Sequence, residues 1–345
     1  MLIVGDLHAK RNYIYDEEHI SKDRFLRCFT LLFEKLTKLA IKLDEDTVIF
    51  TGDIIDTSET IDAVVLDTVT TNFETLKNTI KNIFILCGNH DRVKVKNYDF
   101  TPLDIFRYIH IHVITHPSVY MKNVRFLPYG YDIHNFDENE HYEIMITHLA
   151  NKLSSPFDKE AINPAILPAN IIINGHIHKT EQFKLKGDKT FINIGVPYPT
   201  RKGEEKWENR IIQIKEGKIK SYPLHIHKVQ YEKIEDISKI NTIKPHKNYE
   251  INTLYLTIPA STKASNEEIK AELKGFDSTY IFREKTAVIK NHEKIMKSKV
   301  SKTNLFRRLL KGFHSDYLNK KLLYKYGMNI IKEVEQEYGS DVDSL

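Results

Sequence analysis

Cysteine is nearly absent: Cys28 and Cys87 are the only two in 345 residues. Two thiols cannot build a thiolate metal site. Cys28 falls in an apolar helical pattern and Cys87 ends a strand pattern, so they read as separate buried thiols rather than a disulfide. Long apolar runs are missing too. No stretch approaches the roughly eighteen residues of a membrane-spanning helix, so no membrane partner is expected. The first residues, Met1-Leu2-Ile3-Val4-Gly5-Asp6, lack the basic start of a signal peptide, and a cytoplasmic location is the expectation. Internal repeats and low-complexity tracts are absent as well. The hydrophobic share is 41% and the charged share 28%, which suffices for a large core in one large domain and one or two small ones.

Charge is plentiful but unevenly placed. The formal net charge is +4. Residues 281–325 carry thirteen Lys/Arg against three Asp/Glu, a net of +10, which leaves −6 for the rest of the chain. A basic stretch on an acidic body points to a polyanionic partner near that end. A solvated linker has the same composition, and charge alone does not separate the two.

The first half alternates short apolar runs with helical periodicity. Strands are expected at residues 2–4, 47–50 and 83–86, with helices over 25–43 and 61–82 between them. Further strands are expected at 112–114, 124–127, 143–146, 171–173, 191–194 and 210–214. This pattern begins β-α-β-α-β and becomes strand-rich, which predicts a layered α/β domain with a mixed central sheet. A boundary is expected near residues 222–231. Beyond it, strands at 253–258 and 278–282 flank a helix opened by Ser265, a small α+β unit. Residues 288–302 are basic and poor in apolar side chains. The final segment carries Leu305, Phe306, Leu309, Leu310 and Phe313, then Leu322, Leu323 and Tyr326, an amphipathic helical pattern.

The chemistry-bearing residues follow strands. Asp6-Leu7-His8 comes after the first strand, Gly52-Asp53-Ile54-Ile55-Asp56 after the second, and Gly88-Asn89-His90-Asp91 after the third. Thr147-His148 and Gly175-His176-Ile177-His178 follow two later strands. Ligands of open α/β sheets bind beyond the carboxyl ends of strands, so these motifs should converge on one edge. Carboxylate and amide oxygens mixed with imidazoles suit Mn2+, Fe or Zn2+ better than Ca2+. The D-x-H and H-x-H spacings put both side chains of a pair on one side of an extended backbone. Asp53 can bridge two cations, and the glycines allow close approach of backbone. D-x-H alone carries almost no information; the motifs together, in order, are a strong signal.

In these motifs, over roughly residues 1–200, the sequence resembles the calcineurin-like metallophosphoesterase superfamily. The resemblance implies a layered metallophosphoesterase fold with mixed central β-sheets, a small α+β capping domain and a C-terminal helical segment. It implies two divalent metal ions, Mn2+ foremost. Asp6, His8, Asp53 and His178 would hold the first, and Asp53, Asn89, His148 and His176 the second. His90 would face the scissile phosphate as a catalytic group, with Asp91 orienting its ring.

Three further features resemble the SbcD, or meiotic-recombination-eleven, type of nuclease subunit. They are the strand and turn Phe191-Ile192-Asn193-Ile194-Gly195-Val196-Pro197-Tyr198, the small α+β unit after it, and the basic amphipathic end. The compact length is similar to that of the recombination nuclease subunits of T-even-like phages. At position 56 this chain has Asp, as bacterial SbcD-like sequences do, where other members carry His, so Asp56 joins the catalytic candidates. The implied organisation is a nuclease domain over 1–232, a DNA-binding cap over 233–290, and a basic, helical ATPase-binding segment over 291–345. The implied activity is duplex-end exonuclease and single-strand endonuclease action in DNA recombination, repair and replication. The implied partners are double- and single-stranded DNA, an SbcC/Rad-fifty-like coiled-coil ATPase, and a second copy of the chain.

Plainer readings compete at several positions. Thr147-His148 is a weak motif, and His134 and His141 are nearby rivals. His110, His112 and His116 read as surface or packing residues, and His225-Ile226-His227 as a strand with one polar face. The aromatics at 13–15 and 129–131 either stack on bases or pack against loops. For function, a stand-alone phosphatase or cyclic-nucleotide phosphodiesterase is the alternative, and a non-enzymatic scaffold ranks last because no expected ligand is missing.

Overall fold

A computed structural model describes residues 1–11, 23–57, 61–95, 98–120, 123–131 and 140–284. The basic stretch beyond 284, the C-terminal amphipathic pattern, the aromatics at 13–15 and His134 lie outside the described residues. Residues 1–282 form one compact unit.

The chain begins with β1 (Leu2–Val4), α1 (Arg24–Leu43), β2 (Thr47–Phe50), α2 (Ala63–Lys77) and β3 (Asn82–Leu86). A hairpin of β4 (Val93–Val95) and β5 (Tyr98–Phe100) follows, then β6 (His112–Ile114), β7 (Ser118–Tyr120) and β8 (Val124–Leu127). Next come β9 (Tyr142–Thr147), β10 (Ala169–Asn174), β11 (Glu181–Lys184) and β12 (Thr190–Asn193). The strands β13 (Arg210–Lys215) and β14 (Lys218–Pro223) complete the two large sheets. These are six-stranded, ordered β14-β13-β1-β2-β3-β6 and β11-β12-β10-β9-β8-β7, and both are mixed.

The short strands are apolar throughout because both faces are buried. Leu2, Val4, Val48, Phe50, Ile83 and Ile85 face α1 and α2, where they meet Phe29, Leu32, Phe33 and Phe73. The intervening Ile3, Ile49, Phe84 and Leu86 face the second sheet and pack on Phe126, Ile144, Ile146, Ile173 and Ile192. Period-two alternation thus serves two cores at once, giving a helix–sheet–sheet layering. The helix α1 starts where Asp23 accepts the N–H groups of Phe25 and Leu26, and ends at Asp44 in a left-handed conformation. No helix among the described residues is long and apolar enough to cross a membrane. Cys28 and Cys87 are free and buried, and burial pushes the Cys28 thiol up to about 12.

Register places the site. Val4 pairs with Phe50, and Phe50 with Ile85, in parallel. In the second sheet Leu127 pairs with Thr147, Thr147 with Asn174, and Asn174 with Asn193, also in parallel. The carboxyl ends of β1, β2 and β3 align in one sheet, those of β9 and β10 in the other. A third sheet holds β15 (His227–Lys233), β16 (Ile251–Ile258) and β17 (Ser278–Arg283), with α3 (Asn266–Glu272) packed on it. Ser265 opens α3 with a full capping box to Glu268. The first strand of this sheet starts at His227.

Candidate metal centre

The turns after β1 and β2 hold one another. The N–H groups of Leu7 and His8 both donate to the Asp53 carbonyl, at 3.0 and 2.8 Å. His8, Asp53 and His176 adopt positive φ angles of 45°, 47° and 68°. Such left-handed backbone costs non-glycine residues roughly 1–3 kcal/mol each and persists where the surroundings over-determine it. The Tyr198 hydroxyl, buried, donates to the Leu7 carbonyl at 2.9 Å, so the turn after β12 braces the Asp-x-His turn.

Three clusters overlap here, one of them made by His8, Asp53 and His90. Asp6, His8 and His178 present ligand atoms within 4.8 Å of one another, as do Asp53, His148 and His176. His8 Nε2 lies 3.6 Å and His148 Nε2 3.4 Å from Asp53 Oδ2. The Asn89 side-chain oxygen sits 3.1 Å from His148 Nε2 and 2.8 Å from His176 Nδ1. All seven residues proposed as ligands from the sequence therefore meet in one place, and His148 is fully buried there. His141 is exposed and lies in none of these clusters.

The atoms fit cations. His178 Nδ1 donates to Glu204 Oε1 at 2.5 Å, which commits its proton and leaves a lone pair on Nε2. That lone pair faces His8 Nε2 at 2.8 Å. His148 Nδ1 donates to the Thr51 carbonyl at 2.8 Å, and its Nε2, which faces the Asp53 and Asn89 oxygens, would exchange its proton for a cation. Asp6 Oδ2 is buried without a hydrogen-bond partner. A buried carboxylate oxygen left bare costs about 1–3 kcal/mol or more, which a ligated cation removes. Oxygen and imidazole donors with no sulfur suit Mn2+, Fe and Zn2+.

Electrostatics agree. Burial pushes the Asp53 carboxyl up, but His148, His8 and His90 outweigh it and hold it well below the usual carboxylate range. Burial would lower His148, yet Asp53 and Asp6 raise it to about 10. His176 falls to about 4 through burial and the charge of His148. Burial raises Asp6.

One expected contact is corrected. Asp91 does not touch the His90 ring. Its Oδ1 accepts the N–H of Ile54 and Ile55, at 2.9 and 3.3 Å, and its Oδ2 that of Gly88 at 3.0 Å. Asp91 thereby ties the second motif to the third, and burial beside Asp53 pushes its carboxyl up to about 7. The His90 ring is oriented by a backbone group: Nδ1 donates to the Asp56 carbonyl at 2.5 Å. The Asp56 carboxylate sits 3.3 Å from His8 Nδ1 and 3.2 Å from Lys10 Nζ.

Glu204 was not foreseen. It is buried, and its Oε2 accepts N–H groups from Thr200 and Arg201 at 2.7 and 2.9 Å while Oε1 holds His178. A carboxylate fixing a ligating imidazole sets its tautomer and raises its basicity. Tyr129 was read ambiguously; its ring stacks on His176 at 5.8 Å.

The calcineurin-like phosphoesterase family model matches residues 1–180, the stretch that carries all five motifs. The chain belongs to the calcineurin-like phosphoesterase family. As a metallophosphoesterase it is a metal-dependent phosphoester hydrolase. Among solved structures it is similar to phosphopantetheinyl hydrolase from Mycobacterium tuberculosis, at 11% identity over 57% of this chain and 89% of that one, with a TM-score of 0.34. No curated protein sequence matches the chain.

Proposed function

We propose that this metallophosphoesterase is a DNA nuclease of the SbcD, or meiotic-recombination-eleven, type. The observation that carries the reading is a complete ligand set around a shared Asp53, with His90 beside it, joined in one chain to a small α+β unit and a basic C-terminal stretch. Asp6, His8, Asp53 and His178 would hold one divalent ion, and Asp53, Asn89, His148 and His176 a second, with Mn2+ as the preferred metal. When bound, the ions supply positive charge to the phosphoryl oxygens and acidify water. His90, fixed through Nδ1, offers Nε2 to the leaving oxygen, to stabilise its charge or protonate it. Asp56 holds both His8 and His90 in place, through its carboxylate and its carbonyl. The substrates are duplex DNA ends and single strands. The partners are a coiled-coil ATPase of the SbcC kind, engaged by the C-terminal segment, and a second copy of the chain.

The test is Mn2+-dependent digestion of end-labelled duplex and single-stranded DNA by wild type, His90→Ala and Asp53→Ala. Cleavage by wild type that both variants lose supports the nuclease. Hydrolysis of a small phosphodiester without DNA cleavage, abolished by the same changes, would establish a stand-alone phosphodiesterase instead.

A further inference from the structure

The three-stranded sheet has two unlike faces. Leu254, Leu256 and Ile258 alternate along β16 and pack with Ile240, Ile269 and Leu273 on the α3 side. Tyr255 lies between them in sequence and takes the opposite face, where strand register sets Tyr231 beside it. The rings of Tyr231 and Tyr255 stack at 5.0 Å and 17°, and those of Tyr255 and Tyr280 at 4.7 Å and 8°. Phe282 extends the row, 6.2 Å from Tyr255 at 13°. Tyr231 is 42% and Phe282 51% exposed. Among the described residues no apolar layer covers this row; it walls a cavity of about 540 Å³.

Four cations, Arg24, Arg201, Lys202 and Lys233, line the same cavity against one carboxylate, Glu232. Lys202 Nζ lies 5.4 Å above the Tyr231 ring. Arg24 sits 4.6 Å over Phe25, and its Nε is buried without a hydrogen-bond partner. Pro199, Thr200, Arg201 and Lys202 form one wall. The backbone of Thr200 and Arg201 in that wall holds Glu204, which holds His178. One loop therefore joins the cavity to the metal centre. Aromatic faces edged with cations match a chain whose bases are flat and whose backbone is anionic. Base faces are accessible only outside a duplex, and every base has one.

We propose that this face captures an unpaired nucleic-acid strand, its bases stacking on the exposed rings of the row, Tyr231 and Phe282, and its phosphates meeting Arg201 and Lys202. The proposal rests on the nuclease reading and adds to it the surface that selects unpaired strands over duplex.

The experiment is fluorescence anisotropy of a labelled oligothymidylate titrated with the full chain in EDTA, where capture is read without cleavage. Tyr231→Ala and Phe282→Ala should each weaken binding about 5- to 100-fold. Tyr231→Phe should retain wild-type affinity, and Lys202→Gln should reduce the log–log salt slope by about 0.7. A blunt duplex should lose less affinity than the single strand in each alanine variant. If Tyr231→Ala does not fold, Tyr231→Leu keeps an apolar side chain without a π-face and should weaken binding likewise. Folded alanine variants that bind the oligonucleotide as wild type does would overturn the stacking face, and the nuclease reading would stand if wild type cleaves DNA. Wild-type protein that hydrolyses a small phosphodiester yet neither binds nor cleaves DNA would overturn both. Equal losses on duplex and single strand would overturn selection for unpaired bases.

Discussion

The metal centre and the outer face of the β15–β17 sheet break the usual partition of side chains in opposite directions. At the centre, Asp6, His8, Asp53 and His148 are buried, and Asp6 Oδ2 has no protein partner. On the sheet, Tyr231 and Phe282 stand exposed in a stacked row. Folding alone favours neither arrangement, since buried charge is costly and exposed aromatic area forgoes burial. The first fits a ligated cation, and the second is the surface proposed above to take an unpaired strand. The difference lies in rigidity: the buried site is clamped by turns, backbone hydrogen bonds and close-packed glycines, whereas the exposed one is a surface.

The comparison breaks most readily at Asp53. If that carboxylate is the shared ligand, Asp53→Asn should cut phosphodiester hydrolysis by about 10³-fold or more, corresponding to several kcal/mol of lost charge stabilisation. Steady-state turnover together with Mn2+ titration calorimetry checks it; turnover within tenfold of wild type would remove Asp53 from the centre. Gly175→Ala comes next. A Cβ there would lie 2.6 Å from Asp6 Oδ1 and 2.8 Å from both His148 Nδ1 and the Thr51 carbonyl. Thermal melting should register about 1–3 kcal/mol of destabilisation, with metal binding lost in parallel. On an exposed surface no such clash is expected from an added methyl.

Glu204→Gln sharpens the role of the brace behind His178. Losing the carboxylate should reduce metal affinity or turnover about 10- to 100-fold while leaving the fold intact. Unchanged affinity in calorimetry would make Glu204 a packing residue only.

His227, the first residue of β15 and part of the cavity lining, tests burial away from the metal centre. Burial, with Arg24 adding, pushes its imidazole down to about 3 from an ordinary 6.5, and its Nε2 pairs with Thr253 Oγ1 at 3.0 Å. The folded value is the lower one, so the unfolded chain takes up the proton first. The stability from the neutral ring is whole above about pH 6.5 and is lost as pH falls toward about 3. Urea midpoints measured from about pH 7 down to about pH 4 should therefore fall less steeply in His227→Gln. Equal slopes would mean that the ring is already charged when folded. The smallest effect is expected at Lys35, whose Nζ pairs with Glu250 at 3.0 Å on the surface. Lys35→Ala should change unfolding free energy by less than about 1 kcal/mol.

Much of the fold was legible because double-sided burial makes β1, β2, β3 and the middles of β9 and β10 run apolar, and the helices between the first strands carry an apolar stripe. The strands that escaped notice are β4, β5, β7, β11, β14 and all of β15 beyond His227, where the strand read at 225–227 stopped. Several lie at sheet edges, and β11, β14 and much of β15 have polar, partly exposed patterns that look like loop. His227 was read as part of a polar face; it is buried. His112, read as a packing or surface residue, stacks on Phe84 at 4.7 Å.

By itself the sequence determined which residues could bind a metal and that they should share an edge. Asp, Asn and His in short motifs directly after apolar strands leave few other roles, and parallel strands deliver their ends to one side. Only the tertiary structure decided how those residues are held. Glu204 reaches His178 across a separation of 26 positions, Asp91 serves backbone rather than His90, and the Asp56 carbonyl aims His90. The stacked row of Tyr231, Tyr255 and Phe282 likewise depends on strand pairing. Contacts between residues distant in the chain leave no local pattern, because only side-chain geometry in the folded state selects the partner.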